Sequence, residues 1–385
     1  MLALTSRSVA GLLLTASLTA QADSSITTRH LTLCLERVAS GLEHPWGLAT
    51  LPDGRFLVSE RPGRLKLVTP EGDITRVTGI PDVSTRGQGG LLDIVLHPQY
   101  GDGEHDWVYF TWSRAGDDGT ATSLSRARLA KGHLENIERL FTQDRFSTPG
   151  RHYGSRLAWL DDGTLLMSIG DRGVDPERAQ DGRDHAGSIL RLTAEGTVPA
   201  DNPFIDDPQI DDEIFSLGHR NPQGLVTAED GTPWSTEHGP RTGDELNRLV
   251  AGENYGWPEV TLGRDYATNQ PLGKNSAPGM RDPVHVFEGR FAPSGLTDIT
   301  GDVFPGWHGN LMAGGLASEQ LIRLSLEDDT VAEREVILDG EIGRIRDVQQ
   351  GADGTLYLLN DASDGSLFRL LPMTPATGSP ASCAS

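Results

Sequence analysis

Residues 160–168 read LDDGTLLMS and are followed, after a polar interval, by residues 187–192, GSILRL. The first segment is typical of an Asp-Gly turn that leads into a strand with alternating apolar side chains. The second segment predicts a partner strand. A turn, a strand, a polar loop and a second strand therefore form one unit, and this unit recurs along the chain.

Five further copies of the unit are found, with loops of variable length between them. They begin at residues 51–59 (LPDGRFLVS), 228–235 (AEDGTPWS), 303–313 (VFPGWHGNLMA), 352–359 (ADGTLYLL) and, in a divergent form, 97–112. Segments with helical periodicity are almost missing. Six β units closed into a ring leave no long sheet edge exposed, which predicts an all-β, six-bladed β-propeller in one domain. Two β-sandwiches are the alternative, but they predict a linker between halves, and the sequence has none.

The composition limits the classes of function. The chain has 385 residues, 46 of them Gly and 23 Pro, with 36% hydrophobic residues, which is typical of a turn-rich globular protein. Its formal net charge of -22 would repel nucleic acid and anionic membranes, so neither is expected as a partner. A site for an anionic ligand must therefore be a local group of arginines.

The N-terminus carries a separate signal. Arg7 precedes an apolar run at 9–18, and Ala20-Gln21-Ala22 offers small residues for cleavage, so residues 1–22 are predicted to be a signal peptide cleaved after Ala22. The run is too short to span a bilayer, and no later segment is apolar enough. We therefore expect an exported protein, periplasmic or secreted, with no membrane span. Residues 23–372 would form the propeller and 373–385 a flexible tail.

Two cysteines, Cys34 and Cys383, lie near opposite ends of the mature chain. In an oxidising compartment they could form one bridge that ties the ends together. Because Cys383 lies in the loose tail, a free thiol there is the alternative, and the sequence leaves the pairing open.

The densest group of polar residues lies within residues 218–258. Two loops, RNPQG at 220–224 and EHGPRTGDE at 237–245, are joined by a strand-like link. Gly and Pro in these loops leave backbone carbonyls free to face a ligand. Carbonyl and carboxylate oxygens suit calcium, whereas Arg220 and Asn221 suit an anionic organic ligand. Two ordinary hairpin turns are the alternative interpretation.

Four smaller groups of residues are also candidates. Gln88 lies in a glycine-rich segment, RGQGG at 86–90, that lacks the Lys-Ser/Thr of a phosphate loop. His152 precedes a predicted strand and Asp171 ends one, although a structural histidine and a turn-capping aspartate are possible. Arg344 and Arg346 are two residues apart, so on a strand both face the same side. They suggest a carboxylate or phosphate ligand, or ion pairs with nearby acidic residues.

Seven motifs occur in an order that resembles a known family. They are GLEHPWGLA (41–49), RGQGGLLDI (86–94), RHYGSRL (151–157), GHRNPQGL (218–225), EHGPRTGDELN (237–247), NYGWP (254–258) and GRIRDV (343–348). This ordered set is similar to the soluble pyrroloquinoline-quinone (PQQ)-dependent aldose sugar dehydrogenases. The resemblance extends from about Gly41 to the last strand near Leu370 and implies a six-bladed propeller.

The resemblance also implies roles for individual residues. His152 would be the general base, with Asp171 and Arg220 beside it. The positions that would bind or surround the quinone are Gln88, Arg220, Asn221, Asp244, Tyr266, Gly315, Leu316, Ala317, Arg344, Ile345 and Arg346. The carbonyls of Gly239 and Pro240 would hold the active-site calcium, and Glu245 and Tyr255 a second calcium. Ala317 departs from the family, which has a lysine there, and Arg290 is our candidate for the replacement charge.

The activity implied is oxidation of an aldose at C1 to an aldonolactone, with electrons passed to an unidentified acceptor. NAD is not expected because no strand-GxGxxG-helix unit occurs. Two other functions fit a calcium-binding propeller, since one fold supports many activities. One is a calcium-dependent lactonase, which would not need Arg344 and Arg346. The other is a non-catalytic binding protein stabilised by calcium.

Overall fold

The computed structural model describes residues 24–148 and 150–373. Within these ranges the chain forms strands and one short 3-10 helix, Pro176–Gln180, and no α-helix. No helix there has the length and hydrophobicity needed to cross a bilayer. The predicted signal peptide, Cys383 and all of the predicted tail except Met373 lie outside the described residues. Cys34 is described; it is buried and is not free.

The strands form six antiparallel sheets, which we call blades one to six. Blade one contains β3 (Pro45–Thr50), β4 (Phe56–Glu60), β5 (Arg64–Val68) and β6 (Ile74–Val77). Blade two contains β7 (Leu91–Leu96), β8 (Trp107–Gly116), β9 (Gly119–Ala130) and β10 (His133–Thr142). Blade three contains β11 (Leu157–Trp159), β12 (Leu165–Ile169), β13 (Ser188–Leu192) and β14 (Ile214–Leu217).

The remaining blades follow the same plan. Blade four contains β15 (Pro222–Thr227), β16 (Pro233–Glu237), β17 (Glu245–Arg248) and β18 (His285–Val286). Blade five contains β19 (Pro293–Asp298), β20 (Leu311–Gly315), β21 (Gln320–Glu327) and β22 (Thr330–Asp339). Blade six contains β23 (Ile345–Gln350), β24 (Leu356–Asn360) and β25 (Gly365–Pro372), together with β2 (Thr32–Leu42) and β1 (Ser24–Thr27).

Blade six closes the ring by combining the two ends of the chain. Its strand order is β1-β2-β25-β24-β23, with Leu35 of β2 opposite Leu370 of β25. The innermost strands contact each other in the order β3, β7, β11, β15, β19, β23 and back to β3. The predicted all-β, six-bladed propeller is therefore confirmed, and the two-sandwich alternative is wrong.

The repeated turns connect the innermost strand of each blade to the second strand. In four blades the turn contains Asp-Gly, and the glycines have positive φ, for example 84° at Gly54 and 80° at Gly163. Glycine adopts this conformation without steric cost. Because these turns end the innermost strands, the loops that enter those strands lie together at the opposite end of the ring. The candidate residues 88, 152, 220, 221 and 344 all lie in these entering loops.

The centre of the ring holds a buried guanidinium. Arg156 Nη1 donates to Asp93 of β7 at 2.9 Å and to Asp347 of β23 at 2.8 Å. Its Nε donates to the Gln223 carbonyl of β15 at 3.0 Å. The guanidinium carbon lies 4.4 Å from the centre of the Trp46 ring of β3. One cation placed just before β11 therefore connects the innermost strands of five blades.

Candidate active site

A cavity of about 980 Å³ opens at the end of the ring where the innermost strands begin. The entering loops of all six blades contribute to its wall. Ten of the residues predicted from the sequence line it: Gln88, His152, Arg220, Asn221, Tyr266, Arg290, Leu316, Ala317, Arg344 and Arg346. The propeller therefore brings together segments that are separated by more than half of the chain.

The cavity is cationic, in contrast to the chain as a whole. Its lining contains five arginines but only one carboxylate, Asp361: the arginines are Arg61, Arg220, Arg290, Arg344 and Arg346. A surplus of guanidiniums in a partly dry site favours a ligand with several carboxylates or phosphates. The local group of arginines that an anionic ligand requires is thus present here.

His152 lies on the wall of this cavity and is held by Asp171 from behind. Its Nδ1 is 2.6 Å from Asp171 Oδ1. The second carboxylate oxygen of Asp171 accepts from Trp257 Nε1 at 2.9 Å, and Oδ1 also accepts from the Gly173 amide at 2.7 Å. A carboxylate held in this way accepts a hydrogen bond from Nδ1–H, which leaves the lone pair on Nε2. Asp171 is therefore the orienting group for His152.

The backbone of His152 is constrained as well. Its φ is +51°, an uncommon value for a residue other than glycine. Its amide donates to Gln88 Oε1 at 2.8 Å, and its carbonyl accepts from Arg172 Nη1 at 3.0 Å. These bonds hold the histidine in the strained conformation, and Gln88 thereby positions the imidazole.

Burial sets the protonation state of the pair. It lowers the pKa of His152 and outweighs the opposing effect of the Asp171 carboxylate. For Asp171, burial opposes ionisation, but His152, the charge of Arg220 and the Gly173 amide together outweigh it, and the pKa is lowered. The arrangement therefore favours a neutral imidazole beside an ionised carboxylate at neutral pH, which is the state that a general base requires.

Arg220 lies between His152 and the loop at 237–245. Its Nη1 donates to the carbonyls of His238 at 3.0 Å and Gly239 at 3.1 Å, and its Nη2 is 3.4 Å from the Tyr266 hydroxyl. Tyr266 itself is 57% exposed. The cation is thus fixed by carbonyls and forms no ion pair with a carboxylate in the described ranges, although its charge acts on the nearby Asp171 and Glu237.

Arg344 and Arg346 face the same side, as their spacing predicts. Both guanidiniums reach Asp361 Oδ2 at 3.1 Å, and His44 Nδ1 is 2.8 Å from the other oxygen. Burial opposes ionisation of Asp361, but Arg346 and its other neighbours outweigh it and hold its pKa well below the usual range. Ion pairs with an acidic residue were the alternative interpretation of Arg344 and Arg346, and these ion pairs are present. One carboxylate shared by two guanidiniums still leaves net positive charge.

Three residues predicted to surround the cofactor do not line the cavity. Asp244 accepts hydrogen bonds from the amides of Gly239 (3.0 Å), Phe291 (2.9 Å) and Ala292 (2.7 Å), so it fixes the loops that form the wall. Ile345 is buried in the core of blade six. Gly315 has no room for a side chain, because a Cβ atom would lie 2.6 Å from the Phe291 ring.

The Gly239-Pro240 segment offers oxygens at the edge of the cavity. The Gly239 carbonyl accepts from Arg220 Nη1 at 3.1 Å, and the Pro240 carbonyl accepts from the amides of Thr242 at 2.6 Å and Arg264 at 2.9 Å. A carbonyl oxygen has two lone pairs, so Gly239 keeps one free, whereas both lone pairs of Pro240 are used. Of the two predicted carbonyls, that of Gly239 therefore fits the oxygen donors that calcium prefers, with the rest of the coordination sphere left to a ligand or water.

A second set of oxygens lies behind the cavity. Glu237 and Glu245 are directly opposite each other on β16 and β17, next to an enclosed space of about 10 Å³, enough for about one water or ion. Burial raises the pKa of Glu237 to about 8 and that of Glu245 well above its usual value. Neither forms an ion pair with Lys or Arg in the described part of the chain, although Arg220 borders the same space and Glu237 Oε2 lies 3.0 Å from His219 Nδ1. Two facing, buried carboxylates fit a calcium ion.

Tyr255 also borders this enclosed space, but its hydroxyl is already used. It donates to the Arg248 carbonyl at 2.6 Å and accepts from the Val250 amide at 3.0 Å, while its ring stacks on His219. Only the backbone carbonyl of Tyr255 is left as a possible ion ligand, together with Glu237 and Glu245.

A family model described as glucose/sorbosone dehydrogenase matches residues 42–369. The chain belongs to this family. The resemblance to the soluble PQQ-dependent sugar dehydrogenases is thereby confirmed, and the protein is a sugar oxidoreductase of that class.

Known members of the glucose/sorbosone dehydrogenase family match over most of their length. The aldose sugar dehydrogenase YliI of Escherichia coli is 37% identical over 361 residues, which is 91% of this chain and 95% of the relative. The crystal structure of the soluble aldose sugar dehydrogenase from Escherichia coli in the apo-form has a TM-score of 0.85 at 35% identity, covering 88% of this chain and 99% of that one. The PQQ-bound aldose sugar dehydrogenase from Streptomyces coelicolor has a TM-score of 0.72 at 30% identity, covering 88% and 98%.

Sequence reasoning missed several residues of this dehydrogenase site. Glu237 is not among the site residues that the sequence predicts, although a glutamate at each end of the loop between two short strands indicates facing carboxylates. His44, Arg61 and Asp361 line the cavity and were not selected either. They lie on loops of blades one and six, and only closure of the ring brings them beside Arg346.

Proposed function

We propose that this dehydrogenase oxidises aldose sugars at C1 to aldonolactones, with PQQ bound in the cationic cavity and calcium beside it. The observation that carries the proposal is the His152–Asp171 pair, 2.6 Å apart, on the wall of a cavity with five arginines. A base and a group of cations in one cavity fit a reaction that removes a proton while negative charge develops on a bound ring.

His152 is proposed as the general base. Its Nε2 accepts the proton of the C1 hydroxyl, and Asp171 stabilises the imidazolium through Nδ1. Because burial lowers the pKa of His152, the ring is neutral and ready to accept a proton at neutral pH. Gln88 keeps the ring in place through the His152 amide.

The bound quinone supplies the hydride acceptor for C1. The arginines of this chain bind and orient it. Arg344 and Arg346 offer a cationic face to its carboxylates, since Asp361 neutralises only one of the two charges. Of the two arginines whose charges lower the pKa of His152, Arg220 has the larger effect. We expect it to stabilise the negative charge that develops on the quinone ring.

Calcium is proposed at two places. The carbonyl of Gly239 would hold one ion at the cavity together with oxygens of the bound ligand and water, and a divalent charge there would polarise the oxygens of that ligand. Glu237, Glu245 and the Tyr255 carbonyl would hold a second ion, which neutralises the buried carboxylates. We further propose an exported protein, periplasmic or secreted, with cleavage after Ala22.

A dye-linked glucose oxidation assay tests the proposal. Protein freed of ligands is assayed with PQQ, with calcium, with both and with neither, and lactone hydrolysis is measured in parallel. We expect sugar oxidation only when PQQ and calcium are both added. Lactone hydrolysis with calcium alone would favour the lactonase, and absence of both activities would favour the binding protein.

Replacement of Arg290 tests whether it compensates for Ala317. Arg290 lines the cavity close to Ala292 and Ala317. We expect Arg290→Ala to weaken PQQ binding about tenfold, because a charge-assisted hydrogen bond contributes about 1.5–3 kcal/mol at most sites. Arg29→Ala is the control, since Arg29 pairs with Glu333 on the outer surface. Binding is measured by fluorescence titration of the apo-protein, and equal affinity of Arg290→Ala and parent would mean that Arg290 is not the substitute.

A further inference from the structure

One residue of the NYGWP motif, Trp257, contacts the candidate base from the neighbouring blade. It lies between β17 and β18 of blade four, whereas Asp171 follows β12 of blade three, 86 positions earlier. The side chain of Trp257 contacts two groups of the active site, one through its indole N–H and the other through its ring.

The indole N–H fixes the carboxylate behind His152. Trp257 Nε1 donates to Asp171 Oδ2 at 2.9 Å, and Oδ1 of the same carboxylate is 2.6 Å from His152 Nδ1. Asp171 is only 2% exposed. Without the indole, Oδ2 would be a buried acceptor with no partner, which is costly. The bond to Trp257 therefore determines which way the carboxylate faces.

The ring of Trp257 lies next to the guanidinium of Arg220. The guanidinium carbon is 5.4 Å from the centre of the ring, within the range of a cation–π interaction. Arg220 forms no ion pair within the described residues, and its other partners are two carbonyls and the Tyr266 hydroxyl. One tryptophan therefore contacts both the carboxylate that orients the base and the cation beside the base.

The backbone of Trp257 is held at both of its polar groups. Its amide donates to the Gly218 carbonyl at 2.9 Å, and its carbonyl accepts from Gln180 Nε2 at 2.7 Å. Gln180 is the last residue of the 3-10 helix, and its side-chain amide pairs with that of Asn254 at 3.1 and 2.7 Å. The tryptophan is thus anchored to blade three, where the base lies.

We propose that Trp257 is a positioning residue of the dehydrogenase. Its N–H holds the Asp171 carboxylate so that Oδ1 faces His152 Nδ1, and its ring holds the Arg220 guanidinium. The imidazole then keeps the tautomer with the proton on Nδ1 and the lone pair on Nε2. The effect on turnover rests on the proposed function, whereas the tautomer of His152 is a property of the protein whether or not it oxidises sugars.

Replacing Trp257 with phenylalanine removes the N–H and keeps a ring beside Arg220. We expect kcat to fall about 10–100-fold, the contribution of a hydrogen bond to a charged group, while the affinity for PQQ stays close to that of the parent. The tautomer is measured by NMR of ¹⁵N-labelled histidine in protein without quinone, at a pH where the imidazole is neutral. The His152 resonances, identified by their loss in His152→Gln, should change from one tautomer to a mixture of two.

Trp159→Phe is the matched control for Trp257→Phe. Trp159 is also half-buried, and its Nε1 donates to the Leu96 carbonyl at 2.7 Å, at the opposite end of the ring of blades. This variant loses the same atoms and one hydrogen bond, but it should keep the kcat and the His152 tautomer of the parent. All measurements are made in excess calcium, because Trp257 also borders the enclosed space beside Glu237.

A double-mutant cycle tests whether Trp257 acts through Asp171. Trp257→Phe is combined with Asp171→Asn, and both changes disturb the same contact. The loss of kcat in the double variant should therefore be close to that of Asp171→Asn alone. Losses that multiply would show that Trp257 acts by another route, and the proposal would be wrong. Parental kcat and a single tautomer in Trp257→Phe would also overturn it.

A further variant is used if Trp257→Phe does not fold. Gln180→Ala frees the Trp257 carbonyl and keeps the indole, so kcat and the tautomer should change in the same direction to a smaller extent. Unchanged values in that variant would contradict the proposal. If the parent oxidises no sugar, the proposed function is wrong, and the tautomer alone decides whether Trp257 positions His152.

Discussion

Replacing His152 with glutamine is expected to lower kcat by about 10²–10⁴-fold, the usual contribution of a general base. Glutamine is similar in size and polarity but cannot accept the C1 hydroxyl proton. PQQ binding should remain close to that of the parent, because the arginines proposed to hold the quinone are unchanged. Steady-state dye-linked kinetics give kcat, and fluorescence titration gives the affinity for PQQ.

The pH profile gives an independent measure of the same residue. The base must be neutral, so kcat/KM should fall as the pH decreases through the pKa of His152. Because burial lowers this pKa, the midpoint should lie below the ordinary value of about 6.5. This acidic limb should disappear in His152→Gln.

The cavity contains a second histidine–aspartate pair that serves as the comparison. His44 Nδ1 is 2.8 Å from Asp361, but that carboxylate also binds two guanidiniums. His44→Gln should therefore reduce kcat much less than His152→Gln. A larger loss in His44→Gln, with near-normal turnover in His152→Gln, would assign the base to His44.

Replacing Arg156 with methionine is expected to lower the free energy of unfolding by about 3–5 kcal/mol, the typical cost of removing one partner from a buried ion pair. Methionine retains much of the side-chain volume but leaves Asp93 and Asp347 without their cation. Both carboxylates are fully buried, and each also accepts a backbone amide, from Leu157 at 2.7 Å and from Leu48 at 3.0 Å. The measurement is urea denaturation followed by tryptophan fluorescence.

The pKa values of the two aspartates determine how the stability of Arg156→Met changes with pH. Burial already raises the pKa of Asp93 and Asp347, and Arg156 opposes this rise. Without Arg156 both pKa values rise further, so the folded variant binds protons that the unfolded chain releases. Its stability is then retained at low pH and lost as the pH rises through the folded-state pKa. The destabilisation should be smaller at pH 5 than at pH 8.

Arg55→Met is the matched control for Arg156→Met. Arg55 pairs with Asp53 at 2.6 Å, but the two side chains are 41% and 52% exposed. An exposed ion pair contributes about 0–1 kcal/mol, so this variant should be nearly as stable as the parent. Equal stability losses in the two variants would show that the buried guanidinium does not connect the ring.

Four blades could be recognised from the sequence because an Asp-Gly turn and the strand after it form a local signal, and the units at 97–112 and 303–313 were recognised from their strand patterns. The innermost strands were harder to recognise. β7 and β23, for example, are buried along most of their length and so lack the alternation that marks a half-exposed strand. The ring closure through β2 and β25 pairs residues more than 320 positions apart and has no local signal.

In the candidate site, too, some residues have a local sequence signal and others do not. His152, Gln88 and Arg220 lie in polar loops, Arg344 and Arg346 are spaced to share one face of a strand, and the ordered motifs resemble the family. The sequence by itself thus determined the repeat, the fold and ten of the 22 residues that line the cavity. Only the tertiary structure decided which side chains share a partner. Arg156 meets Asp347 across 191 positions, Glu237 faces Glu245, and Trp257 contacts Asp171 from the neighbouring blade. Backbone preferences act over a few residues, whereas the pairing of buried charges is fixed by how the ring closes.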